Sequence, residues 1–210
     1  MAGLRARVLG VAVIGGVAFW LATARPGHLF GIDTGHIGVL ALIGCLWLSL
    51  WWLSKVPVED LDATASPAEW EAWIGLVFLG LAITWFLIKL PMFAVDGPIS
   101  AHPGAAWAGR NVVMLVVAWL VISSVLGRRW RGRAQVDERD RLIAARACSC
   151  GRTALLVLLA VLAGTLGFSP SDRLQWATPV MLAHLLILAM MLAHWLEIAV
   201  QAVSYWRERH

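Results

Sequence analysis

The chain contains few charged residues and few cysteines for its length. Only 14% of its 210 residues are charged, against 60% that are hydrophobic, whereas a typical soluble domain has about 25% charged residues. A chain this apolar cannot stay soluble with its hydrophobic surface in water. The three cysteines, Cys45, Cys148 and Cys150, are too few for a disulfide framework. These shortages exclude a soluble globular domain and a disulfide-rich secreted domain.

Recognisable catalytic motifs are also lacking. The sequence has no Gly-x-Ser-x-Gly motif, no phosphate-binding glycine loop and no zinc-protease helix motif. It has no internal repeat of the kind that builds a transporter from inverted halves. We therefore interpret the protein as a non-enzymatic one.

Six hydrophobic stretches account for most of the chain. A transmembrane helix needs about 20 apolar residues, and stretches near that length recur along the whole sequence. The sequence therefore predicts an all-α, polytopic membrane bundle of six transmembrane helices in a single domain, 1–210. The predicted spans are approximately 8–24, 36–53, 73–90, 111–126, 153–168 and 177–202.

The distribution of basic residues predicts the orientation of these spans. Four of the 17 Lys and Arg residues fall on one side, namely Arg25, Lys89, Arg110 and Arg173, and the other 13 fall on the opposite side. Because Lys and Arg near span ends stay cytoplasmic, both termini are expected in the cytoplasm of a bacterium, with the spans in its inner membrane. We expect the first stretch to be retained as an anchor, although a cleaved signal peptide is the alternative. The net charge of +4 indicates contact with the bilayer and anionic lipid, with no specific nucleic acid partner.

The loop between the fourth and fifth spans is the most distinctive polar segment. It combines arginines with a short acidic run that includes Asp137, a good helix N-cap. We expect a short helix along the membrane surface, followed by a turn at Cys148–Gly151 into the fifth span. Its function is either to dock a cytoplasmic protein or anionic lipid, or only to enforce topology as a lead-in to the span. The candidate docking residues are Arg128, Arg129, Arg131, Arg133, Asp137, Glu138, Arg139, Asp140 and Arg141.

The run Asp137-Glu138-Arg139-Asp140-Arg141-Leu142-Ile143 resembles the signature of a family of small prokaryotic multi-pass membrane proteins of unknown function. The resemblance covers the second half of the chain, from about Trp73 to Trp206. It implies a membrane location for four helices around the signature loop. It also implies a role in signalling, as the membrane-side partner of a small transcription regulator.

Ionisable residues inside the predicted spans are functional candidates, because they are costly in hydrocarbon. His184, His194 and Glu197 lie in the sixth stretch, and the last two share a helix face at a spacing of three residues. This pattern predicts a small proton- or ion-coupled carrier or channel. In the alternative, Glu197 pairs with Arg152 near the inner interface and the histidines are structural.

Histidines at the predicted outer face allow a third hypothesis, a haem or metal redox protein. A transmembrane haem b needs imidazoles on two helices at matching depth, and His36 with His184 is the pair that approaches this. Two turn-rich outer loops also contain candidate metal ligands, although Pro and Gly at this density are typical of turns. These candidates are His28, Asp33, His36, Asp96 and His102.

The chain contains 13 tryptophans, most of them near span ends, as is typical of an interfacial aromatic belt. Four lie deeper and therefore need partners for their indole N–H inside the bundle. These are Trp47, Trp85, Trp119 and Trp195. Small residues at Gly15-Gly16 and Gly164 are candidate positions for close helix contact.

Overall fold

The computed structural model describes residues 14–23, 28–29, 32–53, 67–130 and 138–209. These residues are helical apart from loops and one antiparallel pair of two-residue strands, β1 (His28–Leu29) and β2 (Ile32–Asp33). The prediction of an all-α fold is confirmed. In chain order the helices are α1 (Ile14–Thr23), α2 (Thr34–Leu53), α3 (Pro67–Lys89), α4 (Pro103–Trp130), α5 (Glu138–Phe168) and α6 (Pro179–Arg209).

Four of these helices, α3 to α6, are long and apolar enough to cross a membrane. The apolar stretches described for α1 and α2, Ile14–Thr23 and Thr34–Leu48, are shorter. The prediction of helices with the length and hydrophobicity to span a membrane is therefore confirmed for the last four hydrophobic stretches.

Helix α6 packs along α5 on one side and α3 on the other, and α4 packs against both α3 and α2. The largest fully buried side chains include Trp85 and Phe86 on α3 and Phe93 in the loop that follows it. Helix α5 contributes little to this core, because apolar residues such as Leu156 and Val161 are exposed along it. Exposed apolar side chains on a helix of this length are suited to contact with lipid.

Helix α5 does not contain the break that was expected before the fifth span. The helix runs without interruption from Glu138 to Phe168, so the surface helix and the turn at Cys148–Gly151 are both wrong. Gly151 instead allows close packing: a Cβ at this position would lie 2.9 Å from the Glu197 Cβ and 3.2 Å from the Ala193 carbonyl oxygen. The glycine therefore lets α5 approach α6 closely rather than ending a helix.

Close approach of α1 and α2 occurs at Gly38. A Cβ there would lie 2.2 Å from the Ala22 nitrogen and 2.7 Å from the Ala18 oxygen, both backbone atoms. At the candidates Gly15-Gly16 and Gly164 no described residue lies within 4 Å of such a Cβ, so the part of the chain that the structure describes makes no close contact there.

The connection from α3 to α4 folds back over the end of the bundle. Two 3₁₀ turns, Leu90–Phe93 and Ile99–Ala101, flank Gly97, whose φ of 88° is in the region that favours glycine. His102 Nε2 lies 2.8 Å from the Asp96 carbonyl oxygen, which closes this loop. The turn places the fully buried ring of Phe93 against the helices.

Candidate functional site

Three polar clusters lie at different levels of the bundle. The middle cluster comprises Trp119, His194 and Glu197. The other two lie at opposite ends of the helices. We call the end that contains Arg139 and Glu208 the Arg139 end, and the end that contains His36, Lys89 and Arg110 the Lys89 end.

The middle cluster is a continuous hydrogen-bonded chain. The Trp119 indole N–H donates to His194 Nε2 at 3.3 Å, and His194 Nδ1 lies 3.2 Å from Glu197 Oε2. Because an indole nitrogen only donates, His194 Nε2 accepts and Nδ1 carries the proton. The imidazole N–H therefore points at the carboxylate, so the two ionisable groups are joined by a direct hydrogen bond.

The middle cluster is also accessible. The His194 and Glu197 side chains are 46% and 26% exposed, and His194 lies 15 residues into α6, about 22 Å along its axis. Gly151 of α5 packs directly against Glu197, so three helices contribute to the cluster. The predicted pairing of His194 with Glu197 is present, and Glu197 pairs with this histidine rather than with Arg152.

At the Arg139 end, α5 is fixed to α6 by its acidic-arginine run. The Arg139 guanidinium pairs with Glu208, and Asp140 lies beside the buried Tyr205. Glu138 and Arg141 are exposed. Of the other predicted docking residues, Arg128 and Arg129 are within α4 but their side chains are not described. Arg131, Arg133 and Asp137 lie outside the described residues.

At the Lys89 end, side chains from α2, α3 and α4 meet the backbone of α1. His36 of α2 contacts two α4 residues: its Nδ1 is 2.7 Å from the Trp107 Nε1, and its Nε2 is 2.9 Å from the Arg110 Nη2. Lys89 lies over the Trp107 ring at 5.6 Å from its centroid and donates to the Thr23 carbonyl oxygen at 3.4 Å. The long lysine side chain thus reaches the C-terminal end of α1, where a cation is favourable.

His184 is packed among aromatic rings. Its ring stacks on Phe93 with centroids 3.6 Å apart, and Phe86 contacts it edge-on. Its Nδ1 lies 2.7 Å from the Val180 carbonyl oxygen. Phe93 covers one face of the His184 ring, and both ring nitrogens of His36 face hydrogen-bond donors. These contacts therefore do not favour a haem b held between the two histidines. The haem b hypothesis stays a prediction from sequence.

The candidate metal ligands are not brought together in the part of the chain that the structure describes. No group of three His, Cys, Asp or Glu residues there is arranged to hold a metal ion. His36 and His102 make the contacts given above, while the side chains of His28 and Asp33 lie outside the described part of the structure. Cys45, Cys148 and Cys150 form no disulfide among the described residues.

Sequence reasoning missed two residues of these clusters, Trp107 and Arg110, and also the buried Asn111. Asn111 is completely buried, and neither atom of its amide has a partner among the described residues, which is uncommon. The sequence did single out Arg110 in one respect: it is an arginine on the predicted outer side, whereas most Lys and Arg residues fall on the cytoplasmic side. Its partner His36 is 74 residues away in sequence, so no local pattern links the two.

Comparison with known proteins finds no matching family model, no similar curated protein and no similar solved structure. The similarity of the Asp137–Ile143 run to a family signature stays a prediction from that run alone.

Proposed function

We propose that this protein is a non-enzymatic, six-span protein of the bacterial inner membrane, with both termini in the cytoplasm. Its function is to dock an acidic cytoplasmic protein on the stem, which we define as residues 138–148 of α5 with residues 199–209 of α6. The observation that carries this proposal is the exposed basic face of α5 on a stem that is fixed to α6.

Internal contacts make the stem a rigid platform. Arg139 pairs with Glu208, Asp140 lies beside Tyr205, and Ile143 is buried along the helix contact. A surface whose backbone is already ordered loses little conformational entropy when a partner binds.

The length of α5 supports a protein partner over lipid. Counted back from Phe168, the roughly 20 residues that cross the hydrocarbon core reach Ser149. Leu142 and Arg141 then lie about 10–12 Å farther along the helix. The headgroup layer adds only about 5–8 Å on each side. Arg141 and Leu142 therefore extend past the lipid headgroups into water.

The chemistry of this face supports an acidic partner. Arg141 and Arg146 of the stem are exposed, and neither ion pair of the described residues includes them. Leu142 is 55% exposed and lies next to Arg141 and one turn from Arg146, so an apolar contact lies beside two cations. Arginine is enriched at protein interfaces because it pairs with carboxylates through two hydrogen bonds.

We expect a photo-cross-linker at position 142 to give one discrete protein adduct in cells. The substitution Arg141→Glu should remove that adduct, because it reverses the charge beside the contact while leaving the buried face of α5 intact. Gel analysis and mass spectrometry identify the adduct. A cross-linker at Leu156, exposed on the apolar part of the same helix, is the control and should give no protein adduct.

Equal adducts from positions 142 and 156, or an adduct from 142 that survives Arg141→Glu, would remove the docking proposal. If position 142 instead labels only phospholipid, the occupant of this face is anionic lipid.

We expect reporters placed after His210 and at Gly132 to be active on the cytoplasmic side. Neutral residues in place of the arginines from Arg128 to Arg133 should weaken this preference, because those charges hold the loop inside. Paired cytoplasmic and periplasmic reporters make the measurement. A reporter after His210 that is active only outside contradicts the six-span topology.

A second candidate function, a proton- or ion-coupled carrier, is favoured by one specific observation. Trp119, His194 and Glu197 form an accessible hydrogen-bonded chain on a helix long enough to cross the membrane. Ionisable groups at such a depth commonly mark ion or proton pathways.

A further inference from the structure

The contacts of His36 contain a conflict between hydrogen-bond donors. Both ring nitrogens face nitrogen atoms that only donate: the Trp107 indole at 2.7 Å and the Arg110 guanidinium at 2.9 Å. A neutral imidazole has one lone pair and one N–H, and a protonated imidazole has two N–H groups. His36 can therefore accept from one of these neighbours at most.

Protonation of His36 at Nε2 is the favoured assignment. Of the two contacts, the one from His36 to Trp107 is the shorter. The Trp107 side chain is half-buried, and its ring packs against the rings of Trp85 and His36. With Nδ1 accepting from the indole, Nε2 carries the proton. The Nε2–H of His36 and an N–H of the exposed Arg110 then lie side by side, and no acceptor among the described residues lies between them.

An oxygen atom within hydrogen-bond distance of both nitrogens resolves this conflict. Arg110 is exposed, so its guanidinium has room to turn both donors toward the same atom. Because the Arg110 guanidinium is a cation, it favours an acceptor with negative charge. The N–H donors of a guanidinium also fit the geometry of phosphate oxygens. A metal cation is disfavoured, since Arg110 would repel it.

Neighbouring groups add to the preference for an anion. The ammonium group of Lys89 lies 5.6 Å from the centre of the Trp107 ring, so the tryptophan that holds His36 also contacts a second cation. Arg110 takes part in neither of the ion pairs formed among the described residues.

We propose that His36 and Arg110, with Lys89 nearby, form a binding site for a phosphate group at the Lys89 end of the bundle. The Nε2–H of His36 and the Arg110 guanidinium donate to one phosphate oxygen. Trp107 holds the histidine in the required tautomer by donating to Nδ1. This site is separate from both the stem and the middle cluster.

Two sources can supply this phosphate group. His36, Lys89 and Trp107 lie within two turns of the ends of their helices, which is the depth at which phospholipid headgroups meet tryptophan side chains. A soluble phosphate anion can also reach the exposed Arg110. The two sources use the same donors and are distinguished by experiment.

The test uses the purified full-length protein in an uncharged detergent. Inorganic phosphate is titrated at constant ionic strength against chloride, and the midpoint of thermal unfolding is measured. In parallel, native mass spectrometry measures retention of phosphatidylglycerol compared with phosphatidylcholine. The test variant is Arg110→Gln, and the control is Arg173→Gln, which removes another exposed arginine near the start of α6.

We expect Arg110→Gln to weaken binding at least about tenfold, because a charge-assisted hydrogen bond is lost, and Arg173→Gln to leave binding unchanged. Stabilisation by inorganic phosphate identifies a soluble anion. Retention of phosphatidylglycerol without that stabilisation identifies a lipid headgroup. No binding of either probe, or equal weakening in both variants, overturns the site and leaves water as the acceptor.

A measurement on the wild-type protein covers the case in which Arg110→Gln does not fold. With ¹⁵N-labelled histidine, the bound probe should shift one imidazole resonance with the signature of the Nε2–H tautomer. The same resonance is assigned to His36 by its loss in His36→Asn. A histidine spectrum that neither probe changes also overturns the site.

Discussion

Replacing Gly38 by leucine should separate α1 from α2 and strongly lower the stability of the protein. The added Cβ would lie 2.2 Å from the Ala22 nitrogen and 2.7 Å from the Ala18 oxygen. Both atoms belong to the backbone of α1, so the helix as a whole must move. Overpacking of this kind typically costs about 1–3 kcal/mol of unfolding free energy, and more where the backbone cannot adjust.

The matched control is Gly44→Leu on the same helix, because a Cβ at Gly44 has nothing within 4 Å. Thermal unfolding in detergent compares the two variants, and cross-linking between cysteines introduced into α1 and α2 reports their separation. Similar unfolding midpoints for both variants would mean that α1 does not pack against α2 at Gly38.

The same displacement should propagate along the bundle. The Ala22 carbonyl oxygen accepts from the Trp85 indole at 2.9 Å, and the Thr23 carbonyl oxygen accepts from Lys89. Moving α1 would leave the fully buried Trp85 N–H without an acceptor, which costs a further 1–3 kcal/mol or so. The small residues of α1 thus support the packing of α3 as well.

Hydrophobic runs were sufficient to predict the helices but not their ends. The fifth run was placed at Thr153–Phe168, whereas α5 begins at Glu138, the residue after the predicted N-cap Asp137. The intervening segment contains arginines and cysteines that lower its hydropathy without preventing helix formation, because their side chains are exposed. Gly151 was interpreted as a turn because glycine serves both at turns and at close helix contacts.

Local spacing predicted the half of the middle cluster that lies within one helix. His194 and Glu197 are three residues apart and do meet, while their partner Trp119 comes from a helix 75 residues away. The expectation that deep tryptophans need internal partners is met for three of the four. Trp85 and Trp195 donate to the carbonyl oxygens of Ala22 and Leu76, but Trp47 is 61% exposed.

Glu197→Gln distinguishes the carrier function from a structural role for the middle cluster. The amide keeps the shape of the side chain but cannot take up and release a proton. If the cluster carries protons, proton flux into proteoliposomes should be abolished while the unfolding midpoint stays nearly unchanged. A pH-sensitive dye inside the vesicles measures the flux.

A structural role gives the opposite pattern. The His194 N–H would then lose its charged acceptor, and the free energy of unfolding should fall by about 1–3 kcal/mol. Loss of folding alone, or a wild-type flux no greater than that of empty vesicles, would remove the carrier function.

Two further variants locate the effect within the cluster. Glu208→Gln removes a carboxylate from the same helix at its pairing with Arg139, and should leave proton flux intact. Trp119→Phe removes the indole N–H that fixes the tautomer of His194, together with part of the aromatic ring. Because His194 can then carry its proton on either nitrogen, flux should decrease but persist, whereas Glu197→Gln should abolish it. Equal loss in all three variants would indicate a general disturbance of the bundle rather than a proton pathway through Glu197.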